Sequence, residues 1–178
     1  AYSSASAYRL FFIGSTLYPL QKEIWAAWAP ANCRLFAWLL TLRRILTADR
    51  LLARQWPNSY FCPLCYRSLE TAVHLAMKCP WARQLWSQVS ARFGVPELQP
   101  AASINPPSLT TWFSELSCGL TSTKLARSVA LLTLWWIWKE RNARIFNGGV
   151  ERSTRQVLHL LAEARWALAG GRHLLLRE

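Results

Sequence analysis

Carboxylates are scarce in this chain: nine Asp and Glu among 178 residues. They are too few and too dispersed for a metal-dependent phosphoryl-transfer centre, where several must converge on one or two ions. The length leaves no room for a complete polymerase, a nuclease domain or an eight-stranded barrel with its helices. Gly and Pro are sparse as well, at seven and nine residues in a chain that is 52% apolar, a folding composition and not a disordered one. No apolar run reaches bilayer length. The longest, Val129 to Trp138, is ten residues and is interrupted by Thr133, half of what a spanning helix requires. No Lys/Arg-led apolar stretch ends in a cleavage motif, so secretion is not expected. The chain starts without Met and stops in a Leu/Arg-rich stretch, which fits a piece of something larger. Together these absences point to a binding or structural module.

What is present is positive charge, carried mainly by Arg. The formal net charge is +12, and 17 of the 21 basic residues are Arg. The guanidinium is a rigid fork of donors matched to phosphate, so this bias fits a nucleic-acid partner. Between Arg34 and Arg92 nine basic residues face only Asp49 and Glu70. Arg43, Arg44, Arg50, Arg54, Arg67 and Arg83 are the candidates for backbone contact. The bland alternative is a solvated face that serves solubility. The helices expected at Pro30–Leu42 and Thr47–Arg54 also form a weak helix-turn-helix pattern.

Five cysteines, three of them clustered, do not make a disulfide framework; they point to a reducing compartment, nuclear or cytoplasmic, and to metal. Cys62-x2-Cys65-x8-His74-x4-Cys79 places four soft ligands within 18 residues. A Cys-x2-Cys turn aims two thiolates at one ion, and a second pair closes a tetrahedron with no position left for water. One structural Zn2+ is therefore expected. His74 and Cys79 are five residues apart and would diverge on a continuous helix. A break before Pro80 lets Cys79 swing back as the cap of the next helix. Cys33 and Cys118 have no ligand partner nearby and read as buried small hydrophobes. His159 and His173 have no acid or nucleophile beside them and are assigned no chemistry.

Periodicity gives a mainly α chain: a small helical domain with a structural zinc knuckle, followed by a tryptophan-rich helical segment. Helices are expected at Ser3–Phe12, Pro30–Leu42, Thr47–Arg54, Glu70–Met77, Pro80–Phe93, Thr110–Ser117, Lys124–Phe146 and Ser153–Leu168, with Trp25 and Trp28 anchoring the approach to the second. Lys124–Phe146 is apolar almost all round and must be surrounded by other helices. The domain reading is 1–94 for the zinc-binding part, 95–108 for a proline-rich linker, and 109–178 for a helical segment packed on the first. The eleven Trp read mainly as core and helix-junction residues, with Trp56 and Trp81 the positions for base stacking.

The ordered run Ile24-Trp25-x2-Trp28-Ala29-Pro30, Phe36-Ala37-Trp38-Leu39, Leu46-Thr47-Ala48-Asp49-Arg50-Leu51, Cys62-Pro63-Leu64-Cys65, Glu70-Thr71-x2-His74-Leu75 and Cys79 resembles the reverse-transcriptase zinc-binding domain of plant non-LTR (LINE-type) retrotransposon polyproteins. Trp135-x-Ile137-Trp138-Lys139-Glu140-Arg141-Asn142-Ala143-x-Ile145-Phe146 resembles the tryptophan-rich helix that follows it there. The resemblance implies a non-catalytic accessory domain whose four ligands carry over as Cys62, Cys65, His74 and Cys79. It implies RNA or DNA and the neighbouring reverse-transcriptase domain as partners, with no membrane and no small-molecule substrate. The polymerase Asp-Asp motif and any ribonuclease H acidic cluster are absent from the sequence, so no activity of its own is expected. The alternative is a structural or protein-interaction module that docks on the polymerase or another domain without binding nucleic acid.

Overall fold

The computed structural model describes residues 20–99, 108–116, 123–148 and 151–168. The expected helix Ser3–Phe12, most of the proline-rich stretch, Cys118 and His173 lie outside them. The described backbone is helical: α1 Gln21–Trp25, α2 Ala31–Thr41, α3 Ala48–Leu52, a π-type turn His74–Lys78, α4 Pro80–Phe93, a 3₁₀ turn Pro96–Leu98, α5 Leu109–Glu115, α6 Thr123–Phe146 and α7 Thr154–Leu168. The one extended pairing among the described residues is a single antiparallel bridge, Phe61 to Leu69. No helix among them is long and apolar enough to cross a membrane.

Local chemistry sets most of the boundaries. Pro80 opens α4, and Gly94 ends it in the left-handed conformation, φ 64°, where a Cβ is unwelcome. Ser153 and Gln156 form a capping box at α7: the Ser153 hydroxyl accepts from the Gln156 amide, and the Gln156 side chain accepts from the Ser153 amide. Ser108 caps α5 by accepting from the Thr111 amide at 3.1 Å. The ends of α2 and α3 are less ordinary. Arg44 N–H donates to the Leu39 carbonyl and Arg43 N–H to that of Leu40; Trp56 donates to Leu51 and Gln55 to Leu52. Both are Schellman closures, and the left-handed residue is Arg43 in one, φ 54°, and Gln55 in the other, φ 58°. Glycine is the usual occupant there.

Helix α6 runs through the middle. It packs against α1, α2, α4, α7 and both short turns, burying Ala126, Val129, Ala130, Leu131, Leu132, Leu134 and Ile137. This surrounds α6 as its nearly all-round apolar pattern requires. Phe36 of α2 sits between Trp135 and Trp138, with ring centroids 5.6 Å from each. Buried side chains from Leu20 to Leu161 form one contiguous cluster.

Two sequence expectations are corrected. Trp25 and Trp28 do not anchor the first segment: both are exposed, and Leu20, Ile24 and Ala27 are buried instead. The indoles are covered from outside by cations, Arg34 over Trp25 and Lys124 over Trp28. The helix expected from Glu70 begins only at residue 72, because the Glu70 amide donates to the Tyr60 carbonyl. Other tryptophans meet the expectation: Trp86 and Trp112 are buried and meet edge to face at 5.2 Å. Cys33 is buried, which pushes its thiol up to about 11.

Candidate metal centre

Cys62, Cys65, His74 and Cys79 come together: their ligand atoms all lie within 4.8 Å of one another. Cys62 Sγ is 3.9 Å from Cys79 Sγ, and Cys65 Sγ is 3.4 Å from His74 Nε2. A tetrahedral zinc at ordinary bond lengths requires separations of about 3.8 Å between sulfurs and about 3.6 Å between sulfur and nitrogen. The cluster can therefore coordinate a metal ion, and the donor set fits Zn2+.

The backbone that aims these side chains follows from short-range bonds. Cys62 N–H donates to the Ser68 carbonyl, while the Cys65 and Tyr66 amides both donate back to the Cys62 carbonyl. Tyr66 takes a left-handed conformation, φ 53°, to close this knuckle. On the other side, Cys79 N–H donates to the His74 carbonyl at 2.7 Å, five residues back, so the chain takes one wide turn between the two ligands. Cys79 then stands at the N-cap of α4 with extended ψ of 127°. The expected break before Pro80 is present; the wide turn ahead of it is a further device that α-helical arithmetic does not contain. Trp86 holds that turn from below, donating its indole N–H to the Ala76 carbonyl at 2.7 Å.

The thiols are unequal. Cys62 is pushed up to about 12, first by its contact with Cys79 and then by burial. Cys79 is drawn down, first by that same contact and then, against burial, by the Ala82 and Trp81 amides at the start of α4, although neither closes a capping hydrogen bond. Coordination requires both as thiolates, so it has to displace the protons they hold.

The charged groups that support the site come from far along the chain. Arg144 of α6 donates from Nη1 to the Pro63 and Leu64 carbonyls, at 3.2 and 3.3 Å, inside the Cys-x2-Cys turn. Its Nε donates to buried Glu140 at 3.0 Å, and its guanidinium lies 5.5 Å from the Trp81 ring centroid. Glu140 also accepts from the Arg152 amide at 2.8 Å. Next to this set, Arg141 grips Glu70 with two bonds of 2.7 Å. Glu70 spends Oε2 a second time on the Ala48 amide at 2.8 Å, capping α3 from 22 residues away. Thr47 does not perform that task; its hydroxyl donates to Asp49 instead. Glu70 is therefore not a surface acid opposing the Arg set, as its position in the sequence implied. It is fully buried, because the ion pair and the helix cap both need it inside.

Arg144→Met keeps the side-chain length and removes every donor, so the knuckle carbonyls lose their clamp. Metal affinity is expected to fall roughly 10- to 100-fold with all four ligands intact, read by competition against a chelating dye. An unchanged affinity would show that the clamp is incidental.

All six Arg singled out from sequence are exposed. Arg43 and Arg44 close α2, Arg50 lies on α3, and Arg54 follows α3 with its guanidinium over the Trp56 ring at 5.7 Å. Arg67 sits on the knuckle and Arg83 on the first turn of α4. Among the described residues none of the six has an ion-pair partner. Helix α3 has five residues, too short to lie along a major groove as a recognition helix.

Residues 2–86 match the model of a family described as zinc-binding in reverse transcriptase. All four ligands fall inside the matched stretch, while Arg141 and Arg144 fall outside it. No curated protein and no solved structure matches the chain. The matched family is a non-catalytic zinc-binding module. The described residues are helical around it, with no sheet of the kind on which polymerase and ribonuclease H centres are built.

Proposed function

We propose that this chain is a zinc-stabilised accessory module of a retroelement reverse-transcriptase polyprotein, which grips RNA or DNA through Arg43, Arg44, Arg50, Arg54, Arg67 and Arg83. A plant non-LTR element, acting in the nucleus, is the parent this reading favours, and residues after the proline-rich stretch belong to the same folding unit. Four protein ligands leave zinc no open position, so the ion is structural and supplies no chemistry to a substrate.

The observation that carries the nucleic-acid reading is a set of exposed guanidiniums without carboxylate partners in the stretch of chain that contains and precedes the metal knuckle. Arg43 is the most telling of them. It holds a left-handed position, φ 54°, at which glycine is easier by roughly 1 kcal/mol. A cation is kept there against the local conformational preference. Docking on the polymerase without nucleic acid is the second reading. Exposed Ile145 and Phe146 at the end of α6 favour it.

Arg43→Gly separates fold from function. Stability is expected to rise by about 0.5–1 kcal/mol, whereas affinity for nucleic acid falls. Replacing Arg43, Arg44, Arg50 and Arg54 together by Gln lowers affinity further and flattens the slope of log affinity against log salt, each lost phosphate contact removing about one unit. Binding that keeps its salt slope in the fourfold variant contradicts the assignment. A salt-insensitive complex with the polymerase domain that survives it supports the second reading.

A further inference from the structure

The knuckle has an outer face that the metal does not use. In the antiparallel pairing of Phe61 with Leu69, opposed side chains share one side of the ribbon and their neighbours take the other. Cys62 and Glu70 are buried on the inner side, toward the ligands and Arg141. Phe61 and Leu69 point outward, 50% and 63% exposed; Tyr60, opposite Glu70 at the end of the ribbon, is 50% exposed but falls on the other side by the same alternation. Trp56 is 53% exposed and carries the Arg54 guanidinium on its ring. Backbone hydrogen bonds tie these elements together. The Asp49 amide of α3 donates to the Glu70 carbonyl, the Glu70 amide to Tyr60, and the Trp56 amide to Leu51 at the end of α3.

Large apolar rings gathered outside a core need a partner that is flat, apolar on its face and wet at its edge. The charges around them specify the rest. Arg54 lies over the Trp56 ring and Arg50 on α3 just before it, neither with an ion pair. Asp49, the acid of α3, is occupied by the Thr47 hydroxyl. Flat rings joined by anions describe a polynucleotide whose bases are unstacked from a complementary strand; a duplex hides its base faces and offers phosphate alone. From this we infer that Trp56 and Phe61 form a stacking platform for an unpaired nucleic-acid strand, with Arg54 and the neighbouring Arg50 on its phosphates and Leu69 flooring the ribbon.

The inference rests on the nucleic-acid reading above and adds to it a choice of single strand over duplex. The test is fluorescence anisotropy on the full chain, loaded with zinc. The probes are short labelled RNA and DNA oligonucleotides of one sequence, each alone and annealed to its complement. With either sugar the unpaired strand is expected to bind more tightly. Trp56→Ala and Phe61→Ala each cost roughly 5- to 100-fold on the unpaired strand and leave the duplex affinity and the salt slope unchanged. Trp56→Phe, which keeps a ring, recovers most of the loss. These side chains are exposed, so helical circular dichroism and zinc content serve as controls that the fold is intact.

Salt-sensitive binding that is equal for strand and duplex, or unmoved by both alanine variants, overturns the platform and leaves the Arg reading standing. Absence of binding to every probe removes both. Equal losses on strand and duplex also overturn the platform, since they mean that the rings only position the arginines.

Discussion

Stripping the metal is expected to cost on the order of 5 kcal/mol, comparable to the whole net stability of a modest domain. That lowers Tm by roughly 10–20 °C in a chain of this size. The ligands do not decorate a surface: Cys62 and Cys79 are fully buried in the core cluster, and the wide turn that presents His74 carries buried Leu75, Ala76 and Met77. When the ion leaves, that turn loses its closure on one side and Trp86 loses the seat of its indole bond. Cys79→Ser and His74→Ala should reproduce the loss without a chelator. A metal-free preparation with undiminished helical signal and Tm would overturn the structural role of the ion.

The pH dependence should differ with and without metal. Loaded protein loses stability on acidification, because protons compete with the ion for the thiolates. Metal-free protein loses it on alkalinisation through Cys33 and Cys62, while Cys79, which is drawn down, acts in the opposite sense. The Cys33 thiol is raised from 9.0 to about 11 and that of Cys62 to about 12. Each contribution is complete below pH 9 and disappears as pH rises toward the folded value. Thermal melts across pH, with and without metal, read both limbs.

The second large effect lies at Glu70 and Arg141. Removing one partner of a buried pair strands the other charge, at a cost of about 3–5 kcal/mol. Glu70→Ala should sit at the upper end, because it also uncaps α3, a loss of about 1 kcal/mol. Arg141→Met should sit at the lower end. The double variant Glu70→Leu with Arg141→Leu is expected to recover a substantial part of the summed cost, since two apolar side chains leave no stranded charge. Denaturant melts of the four proteins give the coupling energy directly. Single variants that each cost less than about 1 kcal/mol would show that the pair is not energetically buried.

The contrast between the ligands and these charges explains what could be read in advance. The four ligands, the break at Cys79-Pro80, the stop of α4 at Gly94 and the crowded face of α6 are written in local spacing and backbone preference, which a single sequence displays. Glu70 with Arg141 and Arg144 with Pro63 are separated by 71 and 81 residues. No periodicity links them; in composition they are only a few acids and bases among many. Trp25 and Trp28 were misplaced for a related reason. A large apolar residue says that it wants cover, but not whether a core or a passing cation supplies it. The wide turn at His74 lay out of reach because nothing in His74-Leu75-Ala76-Met77-Lys78 distinguishes it from an ordinary α-helical turn.

The grip of Arg144 on the Pro63 and Leu64 carbonyls has a genetic corollary. A premature stop between codons 80 and 141 leaves Cys62, Cys65, His74 and Cys79 all encoded, yet deletes the guanidiniums that hold the knuckle and neutralise Glu70. Such an allele would score as intact by its metal motif and fail in the cell. Judging whether a gene copy is alive therefore requires reading through Arg144, well beyond the last ligand.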